Sequence, residues 1–474
     1  MFYNKKNILL CFVIFSCLFG QSYFNRILGH DIFNGDARAL GIGHTYLTTE
    51  KSSNLVFSNP ARISLLEDVI SFDVQFNYNV LNERKSIIVK DFFEGTLGNA
   101  DIAFNQSSLY NYSFGATIGL EIFKNYKLGL AYSQKPFISF NYNYEEEIRD
   151  RESFDENYNT SLDPVVGYHI FKTKGNLNIQ TVGISFSYRQ DKPYAIGIAF
   201  NRIPPSEIKD IFYTKLLNQS INSSNISVVL DDVNHIYNIK ADKDYFLTYS
   251  LDIPVGQHLR MIYSVEDKIL ISSDEYSLYK ISTYIGLPLL VEYNGVCSEP
   301  TIEIEEECMG TVGATWENYL SYPLEGLYYE KPKKYNLGLL LNPSGNKNLT
   351  IAFEISEKKI KQYTDTKIIN NDVFELRLGI EHFLKNRFPI RAGFIYSEPF
   401  FDVFEPTTIF TLGTGAIIKN VHIDFGMDYS IANYRYYDIF PISNVFDNSC
   451  ENDQYCNSVK ESKLNFLITT RIGF

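Results

Sequence analysis

Four cysteines are the side chains whose spacing most directly suggests chemistry. Cys297 and Cys308 form one close pair in the sequence and Cys450 and Cys456 another, each in a polar, acidic stretch. In an oxidising compartment such pairs form local disulfides, although cysteines can also bind a metal. Neither pair is a CxxC, and no nearby histidine completes a tetrahedral zinc site. The pattern favours two disulfides that pin loops, and no metal centre.

Catalytic signatures are absent from the sequence. The chain has seven histidines, but there is no HExxH motif and no GxSxG motif. Carboxylates crowd the polar stretches without a pair that can be placed across a cleft. Residues 299–307 contain five glutamates, which either hold a hard cation such as Ca²⁺ or form a solvated loop. The sequence therefore predicts no enzyme activity and no cofactor.

The N-terminus has the layout of a secretory signal peptide. Lys5 and Lys6 precede an uncharged apolar run that ends at Gly20, and this run is too short to cross a bilayer core of roughly 30 Å. Cleavage after residue 20 is expected; a lipoprotein site at Cys17 is the alternative, which the bulky Phe15 disfavours. Removing residues 1–20 takes two lysines from a net charge of -13, and the acidic mature chain argues against nucleic-acid binding.

Strict two-residue alternation recurs along the rest of the chain. Between Ser71 and Val80, Phe72 and Val74 share one face with other apolar residues, while Asp73 lies on the polar face. Similar alternation predicts that further apolar sets face lipid, including Tyr126, Leu128, Leu130 and Tyr132; Ile138, Phe140, Tyr142 and Tyr144; and Val421, Ile423, Phe425, Met427 and Tyr429. No segment after residue 20 has the ~18 uncharged apolar residues of a membrane helix.

The polar face distinguishes a membrane barrel from a soluble β-sandwich. It carries mainly Gly, Ser, Asn, Thr and Asp, the small wet residues of a lumen, and no Pro/Ser-rich linker divides the chain. The 35 Tyr and 36 Phe suit the aromatic girdles of a barrel, although an AT-rich genome would also raise these counts. The pattern favours an all-β transmembrane antiparallel barrel over residues 67–474. Long extracellular loops are predicted at about residues 145–176, 204–242, 267–331 and 440–460.

The last residues predict how the barrel closes. Leu464, Phe466, Ile468, Ile472 and Phe474 are in phase with one another. A closed barrel leaves no strand edge in lipid, so the last strand must pair with the first. The terminal Phe474 is similar to the signal that the outer-membrane barrel assembly machinery reads.

Two short motifs before the first strand resemble a known family. Ala37–Gly43 reads ARALGIG, and Ser58–Ala61 reads SNPA shortly before an alternating strand. This combination resembles the FadL/TodX-type outer-membrane transporters and their PorV/PorQ-like relatives. Strands near Arg377, Arg391 and Asp424 are similar to the closing strands of the family.

The resemblance implies a barrel of about 14 strands with residues 21–66 folded into the lumen as a hatch. Gly41 and Gly43 match the glycine turns of that hatch, and Asn59, Pro60 and Ala61 match its motif. These residues either form a ligand gate or only stabilise the fold. The chain departs from the family at Arg62, where a small residue is common, and in its candidate loop disulfides.

Three functions fit a bacterial outer-membrane barrel of this kind. The first is passive uptake of hydrophobic small molecules, fatty-acid-like or aromatic. The second is a PorV/PorQ-like role as the membrane component of a protein secretion system, with secretion-system proteins as partners. The third is an adhesive surface protein whose acidic loops meet divalent cations. In each case outer-membrane lipid and lipopolysaccharide surround the barrel, and the hatch motif favours the first.

Overall fold

The structure is a computed structural model that describes eighteen stretches of the chain. They are residues 30–33, 35–90, 96–149, 165–188, 192–216, 233–273, 278–286, 290–292, 301–304, 307–310, 314–322, 328–331, 333–343, 348–364, 367–384, 388–398, 405–436 and 457–474. The predicted signal peptide and Cys297, Cys450 and Cys456 lie outside these stretches. The predicted disulfides therefore remain predictions.

The described chain is almost entirely β-strand after residue 70. In chain order the strands are β1 (His30–Asp31), β2 (Ile70–Lys90), β3 (Thr96–Phe123), β4 (Tyr126–Ser139), β5 (Tyr142–Arg149), β6 (Val165–Lys174), β7 (Asn176–Tyr188), β8 (Tyr194–Arg202), β9 (Ser206–Leu216), β10 (Val233–Ala241), β11 (Phe246–Pro254), β12 (Leu259–Glu266), β13 (Ile269–Ser273), β14 (Leu278–Gly286), β15 (Leu290–Glu292), β16 (Thr301–Ile304), β17 (Glu307–Gly310), β18 (Ala314–Tyr322), β19 (Tyr328–Lys331), β20 (Lys334–Leu341), β21 (Leu349–Thr364), β22 (Lys367–Leu384), β23 (Phe388–Ser397), β24 (Thr407–Ile418), β25 (Val421–Tyr436) and β26 (Asn457–Gly473).

The helices are short and all precede β2. They are α1 (Ala37–Gly41), α2 (Tyr46–Thr49), α3 (Leu55–Ser58) and a 3₁₀ helix (Pro60–Leu65). Within the described stretches, no helix has the length and apolar character needed to cross a bilayer.

Fourteen strands close into a continuous antiparallel ring. The order around the ring is β2, β3, β4, β7, β8, β11, β12, β20, β21, β22, β23, β24, β25, β26 and back to β2. At the closing seam Ser71 pairs with Gly473, and the N–H of Phe474 donates to the carbonyl of Ile70 at 2.8 Å. The predicted barrel, its strand number and its closure through the C-terminal strand are confirmed.

The two faces of each ring strand meet different surroundings. Phe72 and Val74 on β2 are 55% and 57% exposed on the outside, whereas Ser71 and Asp73 between them are buried in the lumen. Other exposed apolar side chains continue this belt around the ring: Phe114, Val182, Phe186, Ile196, Phe200, Leu378, Phe410, Leu412 and Ile472. A closed ring with an apolar exterior satisfies its backbone internally and spans a membrane.

The two ends of the ring differ in length. At one end short turns join the strands, such as residues 124–125 between β3 and β4 and residues 419–420 between β24 and β25. At the other end six short strands extend the wall, each separated from a ring strand by a short break in strand structure. In matching order, β5, β6, β9, β10, β13 and β19 extend β4, β7, β8, β11, β12 and β20. The regions predicted as long loops thus contain paired strands wherever the structure describes them.

Candidate functional site: a plug between two sides of the lumen

Residues 30–66 fill the lumen and are called the plug below. They are the described part of the predicted hatch, residues 21–66. The plug enters along the wall, because β1 pairs antiparallel with the end of β4, and the N–H of Ile32 donates to the carbonyl of Phe137 at 3.1 Å. The three helices and the 3₁₀ helix then follow, with nearly every residue buried.

Asp36 holds two parts of the plug together. Its carboxylate caps α1 by accepting the N–H of Ala39 at 2.7 Å, as aspartate commonly does at a helix start. The same side chain accepts the N–H groups of Lys51 at 2.9 Å and Ser52 at 3.2 Å. One buried carboxylate therefore fixes the start of α1 against the segment that follows α2.

Gly41 and Gly43 lie where the plug backbone touches the wall. A Cβ on Gly41 would lie 2.8 Å from the Cα of Gly413, and one on Gly43 would lie 2.3 Å from the carbonyl oxygen of Leu378. Gly43 also has a φ of 70°, which only glycine adopts readily. The hydroxyl of Thr411 accepts the N–H of Gly43 at 2.9 Å and donates to the carbonyl of Gly41 at 3.1 Å.

Close backbone contact of this kind continues around the lumen. On nine ring strands an inward-facing glycine meets the plug, and a Cβ there would approach plug atoms to between 2.2 and 2.9 Å. We call this set the glycine girdle: Gly115, Gly129, Gly183, Gly197, Gly338, Gly379, Gly393, Gly413 and Gly426. Any larger residue in the girdle would displace the plug, so wall and plug are fitted to each other.

The predicted hatch motif forms a turn inside the plug. The side-chain amide of Asn59 donates to the carbonyl of Leu47 at 2.9 Å, and Pro60 starts the 3₁₀ helix, where its missing N–H costs nothing. The N–H of Ala61 donates to the hydroxyl of Ser250 on β11 at 2.7 Å. These residues therefore anchor the plug, and a direct role in gating remains a prediction.

A second set of contacts joins α2 to the wall. The backbone N–H and the hydroxyl of Thr48 both donate to Glu354 on β21 at 2.8 Å. Glu354 also pairs with Arg377 at 3.3 Å, and Arg377 contacts Glu375. The guanidinium of Arg62, the residue that departs from the family pattern, donates to the carbonyl of Thr48. Arg62 thus ties the 3₁₀ helix to α2.

A buried chain of charges links α1 to strands β22, β23 and β25. Arg38 makes a two-pronged pair with Glu381 on β22, at 2.6 Å and 2.9 Å. Glu381 also accepts from Arg391 on β23 at 2.7 Å, and Arg391 reaches Asp424 on β25 at 2.7 Å. Glu381 is fully buried and bridges two guanidiniums, so its removal would leave both without their main partner.

Glu50 is a buried acid of a different kind. It is fully buried in the plug, where the hydroxyl of Ser52 donates to its Oε1 at 2.9 Å. Its Oε2 has no hydrogen-bond partner among the described residues. Burial, together with the negative charge of Asp36, raises the pKa of Glu50 well above its usual range. Burial therefore favours the protonated form of Glu50.

One side of the lumen, from β20 through β26 to β3, is polar. On the side of the plug away from the short turns it contains a cavity of about 250 Å³. Rings from the plug form one wall: Phe33 lies 4.4 Å from His44 and 6.1 Å from Tyr46, measured between ring centroids. The opposite wall carries four asparagines: Asn77 and Asn79 on β2, Asn111 on β3 and Asn465 on β26.

The other side of the lumen, from β4 to β13, contains a large apolar cluster beside polar contacts such as that of Ser250. The plug contributes Leu55, Val56, Phe57, Ile63 and Leu66 to a buried cluster there. The wall contributes Ala131, Phe137, Ile138, Phe140, Leu177, Ile179, Ala199, Ile203, Ile208, Ile239, Phe246, Ile269 and Ile271. On these strands apolar side chains thus pack against the plug.

A β-bulge in β4 turns the apolar side chains that follow it inward. Pro136 pairs with Asn178 and Ile138 with Leu177 on β7, so Phe137 is an extra residue on β4. One inserted residue exchanges the two faces of everything that follows. The set that begins with Ile138, predicted to face lipid, is therefore buried: Ile138, Phe140, Tyr142 and Tyr144. That part of the prediction is wrong.

The ladder between β3 and β4 ends at the same level. Its last pair before the bulge is Phe114 with Gln134, and beyond it the edge of β4 pairs with β1 of the plug. Among the described residues no ladder pairing joins the rest of β3 to β4 or β5; instead the N–H of Glu145 donates to the side chain of Asn105 at 3.0 Å. We call this place the parting. Here the wall is held by side chains, not by backbone hydrogen bonds.

The comparisons with known proteins come from solved structures. No protein-family model matches the sequence, and a comparison with curated proteins finds no match. The chain is similar to a FadL homologue of Pseudomonas aeruginosa at 10% identity and a TM-score of 0.49, over 94% of this chain and 100% of that one. It is similar to the toluene transporter TodX of Pseudomonas putida at 12% identity and a TM-score of 0.49, over 94% and 99%.

A third similar structure is the toluene transporter TbuX of Ralstonia pickettii. Its identity is 12% and its TM-score 0.44, over 93% of this chain and 99% of that one.

Sequence reasoning found the plug but not what holds it. The five predicted hatch residues all lie in the plug, yet Arg38, Glu381 and Arg391 carry its strongest attachments. The signal for them was charge on the inward face of strands, where small residues are the rule. No group of three or more His, Cys, Asp or Glu side chains within the described stretches is arranged to hold a metal ion. Residues 299–300 and 305–306 of the acidic stretch 299–307 lie outside those stretches.

Proposed function

We propose that the protein is a bacterial outer-membrane channel for the uptake of small apolar molecules, and not an enzyme. One observation carries the proposal: the apolar side of the lumen is continuous with the parting in the wall. An apolar molecule leaves water readily for such a lining, at about 25 cal/mol per Å² of buried surface. A purely polar lumen would offer it no such gain.

The β4 bulge connects the lumen to the lipid-facing surface. It turns Phe137, Ile138 and Phe140 inward against the plug, next to the place where β3 loses its ladder partner. Outside the barrel beside the parting, Phe76, Tyr110 and Tyr112 pack against one another with centroids 5.3 to 5.9 Å apart. Apolar groups are thus present on both sides of the wall at this point.

In the structure the route is filled by plug side chains. Leu55, Val56 and Phe57 occupy the apolar side, and the glycine girdle holds the plug backbone in place. Passage therefore proceeds by side-chain and local plug movement on the apolar side, since the opposite side is fixed by the buried charges of Arg38, Glu381 and Arg391.

Removing the bulge tests this function. Deletion of Phe137 restores the lipid-facing phase of β4 and lets it continue along β3, so uptake of toluene and of oleate into proteoliposomes should fall to the level of empty vesicles. The matched control is deletion of Ile102, the extra residue of a second bulge on β3, where Lys85 pairs with Ala103 and Ser86 with Asp101. This control should transport normally.

Two results would contradict the proposal. One is uptake by the Phe137 deletion at the wild-type rate while the barrel is folded, as judged by its heat-modifiable migration in electrophoresis. The other is an absence of uptake by the unaltered protein together with co-purification of secretion-system subunits, which would favour the secretion role.

A further inference from the structure

The cavity on the polar side of the lumen does not fit an apolar cargo. Its lining combines the charged side chains of Lys334, Glu375, Arg377 and Asp428 with apolar ones, Ile32, Leu109, Ile395 and Ile409. The cavity has a volume of about 250 Å³ and lies outside the apolar cluster. It is far larger than the ~10–15 Å³ that one water requires and a little smaller than the ~300–1,000 Å³ of drug-sized pockets. A small polar molecule matches both its size and its lining.

Four buried asparagines define the chemistry of one wall. They are cross-strand neighbours, since Asn77 pairs with Asn111 and Asn79 with Asn465. All four side chains are more than nine-tenths buried. The amide oxygens of Asn77, Asn111 and Asn465 have no hydrogen-bond partner among the described residues. Buried acceptors without partners are costly, by about 1–3 kcal/mol each, so this wall favours a ligand that donates hydrogen bonds.

The opposite wall offers aromatic rings and fixed charges. Phe33, His44 and Tyr46 pack together, and Lys334 donates to the hydroxyl of Tyr46 at 3.0 Å. Between the walls, Asp428 accepts from His44 at 2.7 Å and from Asn465 at 3.0 Å, which fixes the carboxylate at the cavity edge. A ligand here meets donors, acceptors and ring faces together.

We propose that this cavity binds a small polyhydroxylated ligand of monosaccharide size. Hydroxyl groups both donate and accept, so they satisfy the asparagine oxygens and the cationic donors at once. The C–H groups of a sugar ring pack against the ring of Phe33, which lines the cavity.

Other ligand classes fit the lining less well. A carboxylate ligand carries acceptors only and would leave the asparagine oxygens unpaired. A metal cation would meet the asparagine oxygens and Asp428, but Lys334, Arg377 and Lys463 line the same cavity and repel it. A hydrocarbon would satisfy none of the polar groups.

The test is a binding measurement on the full-length protein in a detergent without a sugar head group, such as an alkyl dimethylamine oxide. Glucose, galactose and N-acetylglucosamine are titrated by calorimetry and by saturation-transfer NMR. At least one of them is expected to bind saturably in the millimolar range or tighter. Asn111→Leu should weaken this binding about tenfold or more, because leucine is similar in size to asparagine but lacks the amide group.

Asn336→Leu is the matched control. Asn336 is also buried on the inward face of a ring strand, and its amide oxygen also lacks a partner among the described residues, but it does not line the cavity. It should change the affinity less than about twofold. Phe33→Leu, which removes only the ring surface, should weaken binding while the barrel keeps its heat-modifiable migration.

Three outcomes would overturn the proposal. The first is that none of the three sugars binds saturably. The second is an equal loss of affinity in the Asn111 and Asn336 variants. The third is saturable binding of Ca²⁺ or hexanoate, in place of a sugar, that Asn111→Leu abolishes. Toluene uptake should be unchanged in Asn111→Leu, so this test is independent of the proposed channel.

Discussion

The two sides of the lumen are built on the same strand rhythm and yet present opposite chemistry to the plug. From β20 to β3 the inward face keeps small polar residues and adds charges such as Glu381 and Arg391, which bind the plug through ion pairs. From β4 to β13 the inward face meets Leu55 and Phe57 mainly by apolar packing, beside hydrogen bonds such as that of Ala61 to Ser250. The first contact type requires exact partners, whereas the second tolerates local rearrangement. The plug is therefore fixed on one side and deformable on the other.

The largest effect on stability is expected when Glu381, which pairs with two arginines on the polar side, is replaced. Glu381→Leu leaves the guanidiniums of Arg38 and Arg391 buried without their main partner, which should lower the free energy of unfolding by about 3–5 kcal/mol. Guanidinium-induced unfolding in detergent measures the loss, and limited proteolysis should cut the plug first. Glu67→Leu, an exposed acid just after the plug, is the control and should be close to neutral. Equal stability of the two variants would show that the ion pairs do not hold the plug.

A smaller effect on stability, but a gain in transport, is expected on the apolar side. Leu55→Ala opens space in the apolar cluster and should cost about 3 kcal/mol, while toluene uptake should rise because the route is less filled. Leu40→Ala is the matched control, since Leu40 is equally buried in the plug but packs with Leu467 on the polar side. It should lose similar stability without faster uptake. A rise in both variants would mean that any loosening of the plug opens a path.

The smallest effect concerns Glu50, the fully buried acid of the plug. Because its pKa is raised in the folded protein, the folded state binds the proton more tightly than the unfolded chain does, and this residue destabilises the fold as pH rises above its unfolded pKa. Glu50→Gln should remove this dependence and match the wild type near pH 5. At pH 8 it should be more stable than the wild type, because the wild-type carboxyl is then costly to keep buried. Unfolding curves at both pH values measure the difference, and a Gln variant that is less stable at pH 8 would contradict the assignment.

Alternation predicted much of the ring because the sequence of each strand alone indicates which side chains face outward and which face the lumen. Phe72 and Val74 lie outside and Ser71 and Asp73 inside, as the two-residue pattern predicts, and the final Phe474 does sit at the closing seam. These features depend on local sequence and on the requirement that a membrane barrel has no free edge. They do not depend on which strand is the neighbour.

The division of the lumen was not readable in the same way. The run from Ile138 to Tyr144 keeps its alternation, but one unpaired residue, Phe137, turns it inward, and a bulge becomes visible only when the register with β7 is known. The pairing of Arg38 with Glu381 joins residues far apart in the chain, so no local pattern contains it. The hatch motif located the plug, while the contacts that attach it required the three-dimensional wall.

The plug also stabilises the closing seam between β2 and β26. The N–H of Ala37 donates to Thr469 on β26 at 2.9 Å, Arg471 of β26 pairs with Asp68 at 3.0 Å, and the chain then continues directly into β2. The plug is thus covalently continuous with the first ring strand and hydrogen-bonded to the last, and it holds the two together from inside the lumen. The least reinforced junction lies instead between two strands that are adjacent in the chain, β3 and β4. Under lateral pressure from the bilayer, β3 and β4 should separate before β2 and β26 separate at the closing seam.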